Sequence, residues 1–123
     1  MIYSLTNLPN FSHDFALRDQ ICRAVISVMS NIAEGFGTGS DAEFVRFLGY
    51  ARRSVSEAQS QLYAALDQNY ISNDQFEKAY AKANETERQI NALIRYLSDS
   101  KKAHYSTKEE SGEYSVDLPD DFI

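Results

Sequence analysis

The groups in this sequence from which chemistry could be built are a glycine-rich turn, a few carboxylates and a set of arginines. Gly35-Phe36-Gly37-Thr38-Gly39-Ser40 stands directly before a helical pattern, where free backbone amides attract anions. No strand pattern precedes it and no Gly-Lys-Ser/Thr follows, so it reads as an interhelical turn ending in an N-cap rather than a phosphate-binding loop. Glu34 and Glu57 are two carboxylates with which a di-metal site could begin. That class draws Glu-x-x-His pairs from facing helices, and His13 and His104 fall outside the patterns that hold the glutamates. There is no nucleophile–base pair, no metal-ligand spacing and no cofactor loop. The expectation is a non-enzymatic protein with no cofactor, no metal and no small-molecule substrate.

Arg23, Arg46, Arg52 and Arg53 are the candidates for contact with nucleic acid or another partner, since guanidinium groups neutralise phosphates. Arg46 and Arg53 are seven apart and share a helix face, whereas Arg52 points elsewhere. The plainer alternative is that these arginines are solvated, or form salt bridges between subunits beside Asp19, Glu43 and Glu57. Glu57 and Gln61 are four apart and also share a face. Cys22, the single cysteine, sits in an apolar helical pattern and is expected as a small core residue. Tyr50, Tyr63, Tyr80 and Tyr96 are expected at core and interface edges rather than as a platform for stacked bases.

Three long amphipathic helices must position these groups. The first is expected over about Asp14 to Glu34, with Ser12 as N-cap, Ile21, Val25, Val28 and Ile32 on its buried face, and the glycines from Gly35 onward ending it. The second opens on a capping box, Ser40-Asp41-Ala42-Glu43. It then carries Phe44, Leu48, Ala51, Val55, Ala58, Leu62 and Ala65 at alternating spacings of four and three, a heptad seam to about Asp67. A short link, Asn69-Tyr70-Ile71, leads to a second capping box, Ser72 to Gln75. The third helix repeats the pattern with Phe76, Ala79, Ala83, Thr86, Ile90, Leu93 and Leu97. Links this short make consecutive helices antiparallel neighbours, so the fold class is all-α, an up-down antiparallel helical bundle.

The 123 residues allow one domain. Residues 1–103 form the helical bundle domain, and 104–123 are expected as an acidic flexible tail. Residues 1–104 carry 11 Lys and Arg against 12 Asp and Glu, while the tail sets Lys108 against six carboxylates and holds most of the net charge of −6. No apolar run is long enough for a membrane span, and no basic region precedes an apolar stretch at the start. With one cysteine and no internal disulfide possible, the expected setting is the reducing cytoplasm.

The string Ser30-Asn31-Ile32-Ala33-Glu34-Gly35-Phe36-Gly37, followed by Glu43-Phe44, Phe47-Leu48, Ala51, Ser54, Glu57, Gln61-Leu62 and Tyr70-Ile71, resembles the four-helix-bundle proteins encoded in intervening sequences of bacterial 23S rRNA genes, over roughly Ile2 to Leu97. The resemblance implies a four-helix bundle assembling as a homopentamer. It also implies kinship with the accessory protein of diversity-generating retroelements, which partners a reverse transcriptase and binds nucleic acid. Met29 stands where that family usually has proline, so a kink before Ser30 is expected to be absent or softer. Ile2 to Thr6 with Leu8-Pro9 resembles the end of the family's first helix, most of which has no counterpart here. A start placed too far downstream is the favoured expectation, and a three-helix variant with an open apolar groove is the alternative.

Five polar residues fall within the resembling motif: Asn31, Glu34, Ser54, Glu57 and Gln61. They read either as a polar site or partner surface, or as a hydrogen-bond network that fixes helix register or a subunit interface. The function expected from all of this is an oligomeric binding scaffold whose partners are further copies of itself and RNA, DNA or a ribonucleoprotein. The alternative is a structural or regulatory protein–protein assembly module without nucleic-acid affinity.

Overall fold

In the computed structural model, which describes residues 1–103 and their side chains through Asp99, 88% of the described residues are helical and none is in a strand. Two single-turn helices, α1 (Ile2–Thr6) and α2 (Pro9–His13), precede three long ones: α3 (Phe15–Gly37), α4 (Asp41–Asp67) and α5 (Asn73–Ala103). The expected tail, 104–123, lies outside the described residues. No helix among them is long and apolar enough to cross a membrane.

The bounds of α4 agree with the heptad reading, and every residue of its seam, Phe44 through Ala65, is buried. On α5, Ala79, Ala83, Thr86, Ile90 and Leu97 are buried, with Phe76 and Leu93 partly so. The buried Thr86 hydroxyl has no water to meet and donates to the Lys82 carbonyl one turn back. Contacts between helices run in opposite senses: Ser54 meets Ser27 and Gly35 faces Phe47, while Arg52 bonds Asn91 and Gln59 bonds Asn84. The long helices are therefore antiparallel in sequence order. Helix α4 lies between α3 and α5, which make no extensive contact with each other.

The helix ends correct the sequence reading in three places. Ser12 belongs to α2, and α3 is capped by Asp14, whose carboxylate accepts from the Leu17 amide at 3.1 Å. The other Asp14 oxygen accepts from the Tyr70 hydroxyl at 2.9 Å, and this bond to a carboxylate raises the Tyr70 pKa above its ordinary value. Tyr70 also stacks on the buried Phe11, so the link after α4 is fastened to the start of α3. Second, α3 does not stop at Gly35 but runs through Gly37, and the left-handed residue is Gly39 at φ +69°. Third, the Ser40 box closes on one side only. Ser40 Oγ accepts from the Glu43 amide, but the Ser40 amide donates to Thr38 Oγ1 and Glu43 turns outward to Arg46. The Ser72–Gln75 box closes on both sides. At the end of α4, Asn69 takes φ +59° while the Asn69 and Tyr70 amides bond back to Leu66 and Ala65, the Schellman pattern.

Helix α3 runs unbroken past Met29. Its buried face holds Ile21, Ala24, Val25, Val28, Ile32 and Gly35. Cys22 is half-buried at the edge rather than in the core, its Sγ 3.9 Å from Thr6 Oγ1. Helices α1 and α2 bury Ile2, Leu5, Thr6 and Phe11 and pack on α3. A second stripe of α3 is open to solvent at its middle, where Ile26 is 49% exposed and Met29 39%, while at its two ends Phe15 lies beneath the Arg18 guanidinium and Phe36 meets Phe44 edge-on.

Gly35 is where α3 comes closest to α4. A Cβ built there would sit 2.7 Å from Phe47 Cβ and 3.0 Å from Phe44 Cδ1, whereas at Gly37 nothing lies within 4 Å. Phe47 Cβ is fixed to its backbone and cannot yield without moving the helix. Gly35→Ala should therefore destabilise the protein by about 1–3 kcal/mol despite alanine's better helix propensity. Gly37→Ala should be neutral or stabilising by up to about 1 kcal/mol. Urea denaturation of both variants checks the contrast, and equal effects would contradict the close approach.

Candidate polar cleft between the first two long helices

Along one side of the α3–α4 pair the apolar seam gives way to polar groups and the helices part into an open cleft of about 620 Å³. Arg23, Ser27 and Ser30 line it from α3, and Ser54, Glu57 and Gln61 from α4. The helical repeat explains the grouping. Ser54, Glu57 and Gln61 are spaced three and four apart, as are Gln20, Arg23, Ser27 and Ser30, so each set forms one stripe. Antiparallel packing lays the two stripes against each other.

Hydrogen bonds close the floor of the cleft. Ser54 is buried and its hydroxyl donates to Ser27 Oγ at 3.0 Å. Asn31 donates from Nδ2 to the same Oγ at 3.0 Å and to the Ser27 carbonyl at 2.8 Å. Two of the five polar candidates, Asn31 and Ser54, are thus joined through Ser27 by hydrogen bonds that cross from α3 to α4. Glu57 and Gln61 form the α4 wall, with Glu57 exposed. Gln61 Oε1 is buried and has no hydrogen-bond partner. Glu34 is exposed and is not part of the cleft lining.

The four arginines do not form one patch. Arg23 lies in the cleft. Arg52 turns to the other side of α4 and donates to Asn91 of α5 at 2.8 Å. Arg46 and Arg53 share a face: their guanidinium carbons lie 5.9 Å and 5.8 Å from the Tyr50 ring centroid, within cation–π range. Arg46 also pairs with Glu43 at 2.7 Å. Continuing the same face by one turn leads from Arg53 to Glu57, so this stripe runs into the cleft. The other tyrosine group lies between α4 and α5, where Tyr63, Phe76 and Tyr80 make mutual ring contacts. Burial, followed by a bond with Tyr63, raises the Tyr80 pKa.

Sequence reasoning had not selected Ser27, Gln20 or Ser30. Their signal was present as a polar stripe on an otherwise apolar helix, but nothing in α3 alone showed which helix would face it. No group of three or more His, Cys, Asp or Glu side chains positioned to hold a metal ion occurs among the described residues. The cleft offers the exposed Glu57 carboxylate on its α4 wall, the Arg23 guanidinium and the apolar Ile26 side chain on its α3 wall, and hydroxyls between them. A buried acceptor without a donor costs about 1–3 kcal/mol. Gln61→Leu should therefore raise the urea midpoint, by an amount equivalent to about 1 kcal/mol for this partly exposed side chain. A lower midpoint would mean that the amide makes a stabilising bond in solution.

No curated protein and no solved structure matches the chain. A family model does match, over residues 1–92, which span the two short helices, α3, α4 and most of α5. Those residues contain the whole cleft, the Asp14–Tyr70 fastening and the Gly35 approach, and on that match the chain belongs to the 23S rRNA-intervening sequence protein family.

Proposed function

We propose that this protein is a non-enzymatic helical scaffold whose copies assemble with one another in the cytoplasm. The observation that carries the reading is the uncovered stripe of α3. Ile26, Met29 and Ala33 are exposed and spaced three and four apart, with Phe15 and Phe36 in line at the two ends, the repeat that the chain's own helices use to pack together. A surface with that repeat fits another helix of the same kind. The chain cannot supply one from α5, which lies on the far side of α4. A second copy is the occupant the pattern suits, and the ring of five implied by the resemblance is the assembly it would build.

Light scattering on the full chain tests this. The protomer is 13.9 kDa, and a closed homopentamer would read about 70 kDa. Ile26→Asp together with Met29→Asp, at exposed positions where the fold has little to lose, should collapse the assembly to monomer while circular dichroism stays helical. A monomeric mass, both for this chain and for one extended upstream to complete the first helix that the resemblance implies, would rule the scaffold reading out.

A second reading, nucleic-acid binding, is favoured by the face carrying Arg46, Tyr50 and Arg53, two guanidinium groups set over one aromatic ring. Repetition of this face in an oligomer would multiply weak contacts by avidity. Binding of a fluorescent single-stranded RNA should weaken steeply between low and moderate salt. Arg46→Glu with Arg53→Glu should reduce it by an order of magnitude or more without changing the scattering mass. Binding that ignores both salt and the double variant would exclude this face as the contact.

A further inference from the structure

Five of the seven arginines fall on one part of the surface. Between Glu43 and Glu57, α4 carries Arg46, Arg52 and Arg53 and no carboxylate; between Glu87 and Asp99, α5 carries Arg88 and Arg95 and no carboxylate. Antiparallel packing sets the two stretches side by side, with Arg52 donating to Asn91 at 2.8 Å across the contact. Arg88 and Arg95 stand three and four residues from Asn91 on the same stripe of α5, so they border the same margin as Arg52. Arg46 and Arg53, over Tyr50, continue the belt onto the adjoining face of α4. All five are exposed, and among the described residues only Arg46 is ion-paired, with Glu43. The other two arginines, Arg18 and Arg23, lie on α3, where Arg18 pairs with Asp19.

We propose that this belt is the docking surface for the chain's own acidic segment, residues 105–123. The charges match: five guanidinium groups meet a segment that sets Lys108 against six carboxylates. The position matches as well. Helix α5 ends at Ala103, so the segment departs about 8 Å along the axis from the belt's edge at Ser98. The belt is about 18 Å long, and an extended chain spans about 3.3 Å per residue. The residues from Ala103 to Glu109 therefore reach about 20 Å, and the carboxylates from Glu109 to Asp121 are spread widely enough to follow the belt from end to end. A single exposed ion pair contributes little. Tethering changes the balance, because a short linker holds the segment at an effective concentration on the order of millimolar. The same tether favours the belt of its own chain over that of another copy. Docking covers Arg46 and Arg53, so a phosphate backbone must displace the segment to reach them. That consequence rests on the nucleic-acid reading above; the docking itself does not.

Paramagnetic broadening on the full chain tests it. A spin label on Ser115→Cys, in a Cys22→Ser background, should remove at least half the intensity of amides 46–56 and 88–95 at low salt and leave those of Ile26 and Met29 sharp. The loss should disappear in about 0.5 M salt. It should also disappear when the six carboxylates become amides (Glu109→Gln, Glu110→Gln, Glu113→Gln, Asp117→Asn, Asp120→Asn and Asp121→Asn), changes that lie outside the helical bundle. Broadening spread evenly over the surface, or unmoved by salt, overturns the docking. Equal broadening from labels carried only on other copies overturns docking on the chain's own belt. The amide variant should in addition bind single-stranded RNA at least fivefold tighter at low salt. Tighter RNA binding without the broadening is charge repulsion alone and overturns the docking. Broadening with no RNA binding by either form upholds the docking and removes only the nucleic-acid reading.

Discussion

The structure depends on one helix serving two neighbours. Helix α4 must bury Phe44, Leu48, Ala51, Val55, Ala58, Leu62 and Ala65, and it does so between α3 on one side and α5 on the other. Alanine at every second or third seam position lets both partners approach closely, while the larger side chains fill the layers between. Because each large buried side chain contributes about 1.5–3 kcal/mol before entropy is set against it, the register that buries all of them together leaves little freedom for sliding. Gly35 against Phe44 and Phe47, and Phe11 with Tyr70 and Asp14, then lock the two ends of the α3–α4 pair.

That arrangement has a consequence for the polar residues. A helix whose apolar arc is spent on its neighbours must place its polar arc at the margins of the contact. On α3 and α4 the margins coincide along Ser27, Ser54, Glu57 and Gln61. Part of this margin is consumed in holding the helices together, as the Asn31–Ser27–Ser54 bonds show. In the remainder, the Gln61 oxygen is buried without a partner.

Helix α3 shows the same economy in its apolar residues. It carries two seams, one facing α4 and one facing outward through Ile26 and Met29. The first packs the protomer; the second stays exposed among the described residues. Apolar surface at helix-packing spacing is what the assembly proposal rests on.

Much of this was legible in the sequence because it depends only on local period and chemistry. The seams, the bounds of α4, the Ser72–Gln75 box and the divergence of Arg52 from Arg46 and Arg53 follow from 3.6 residues per turn and from which side chains satisfy free amides. Local rules failed where a distant residue competed for the same group. Asp14, not Ser12, caps α3 with Tyr70 held on its other oxygen, Thr38 took the amide that Glu43 would have met, and Gly35 stays helical against Phe44 and Phe47. The cleft could not be read at all from α3 or α4 alone. Spacing determines which residues share a face, but only packing decides which face meets which. The sequence by itself determined an all-helical chain with its inner seams; the tertiary structure decided that Arg23 would stand across from Glu57 and Gln61, because that depends on the rotation of one helix against another.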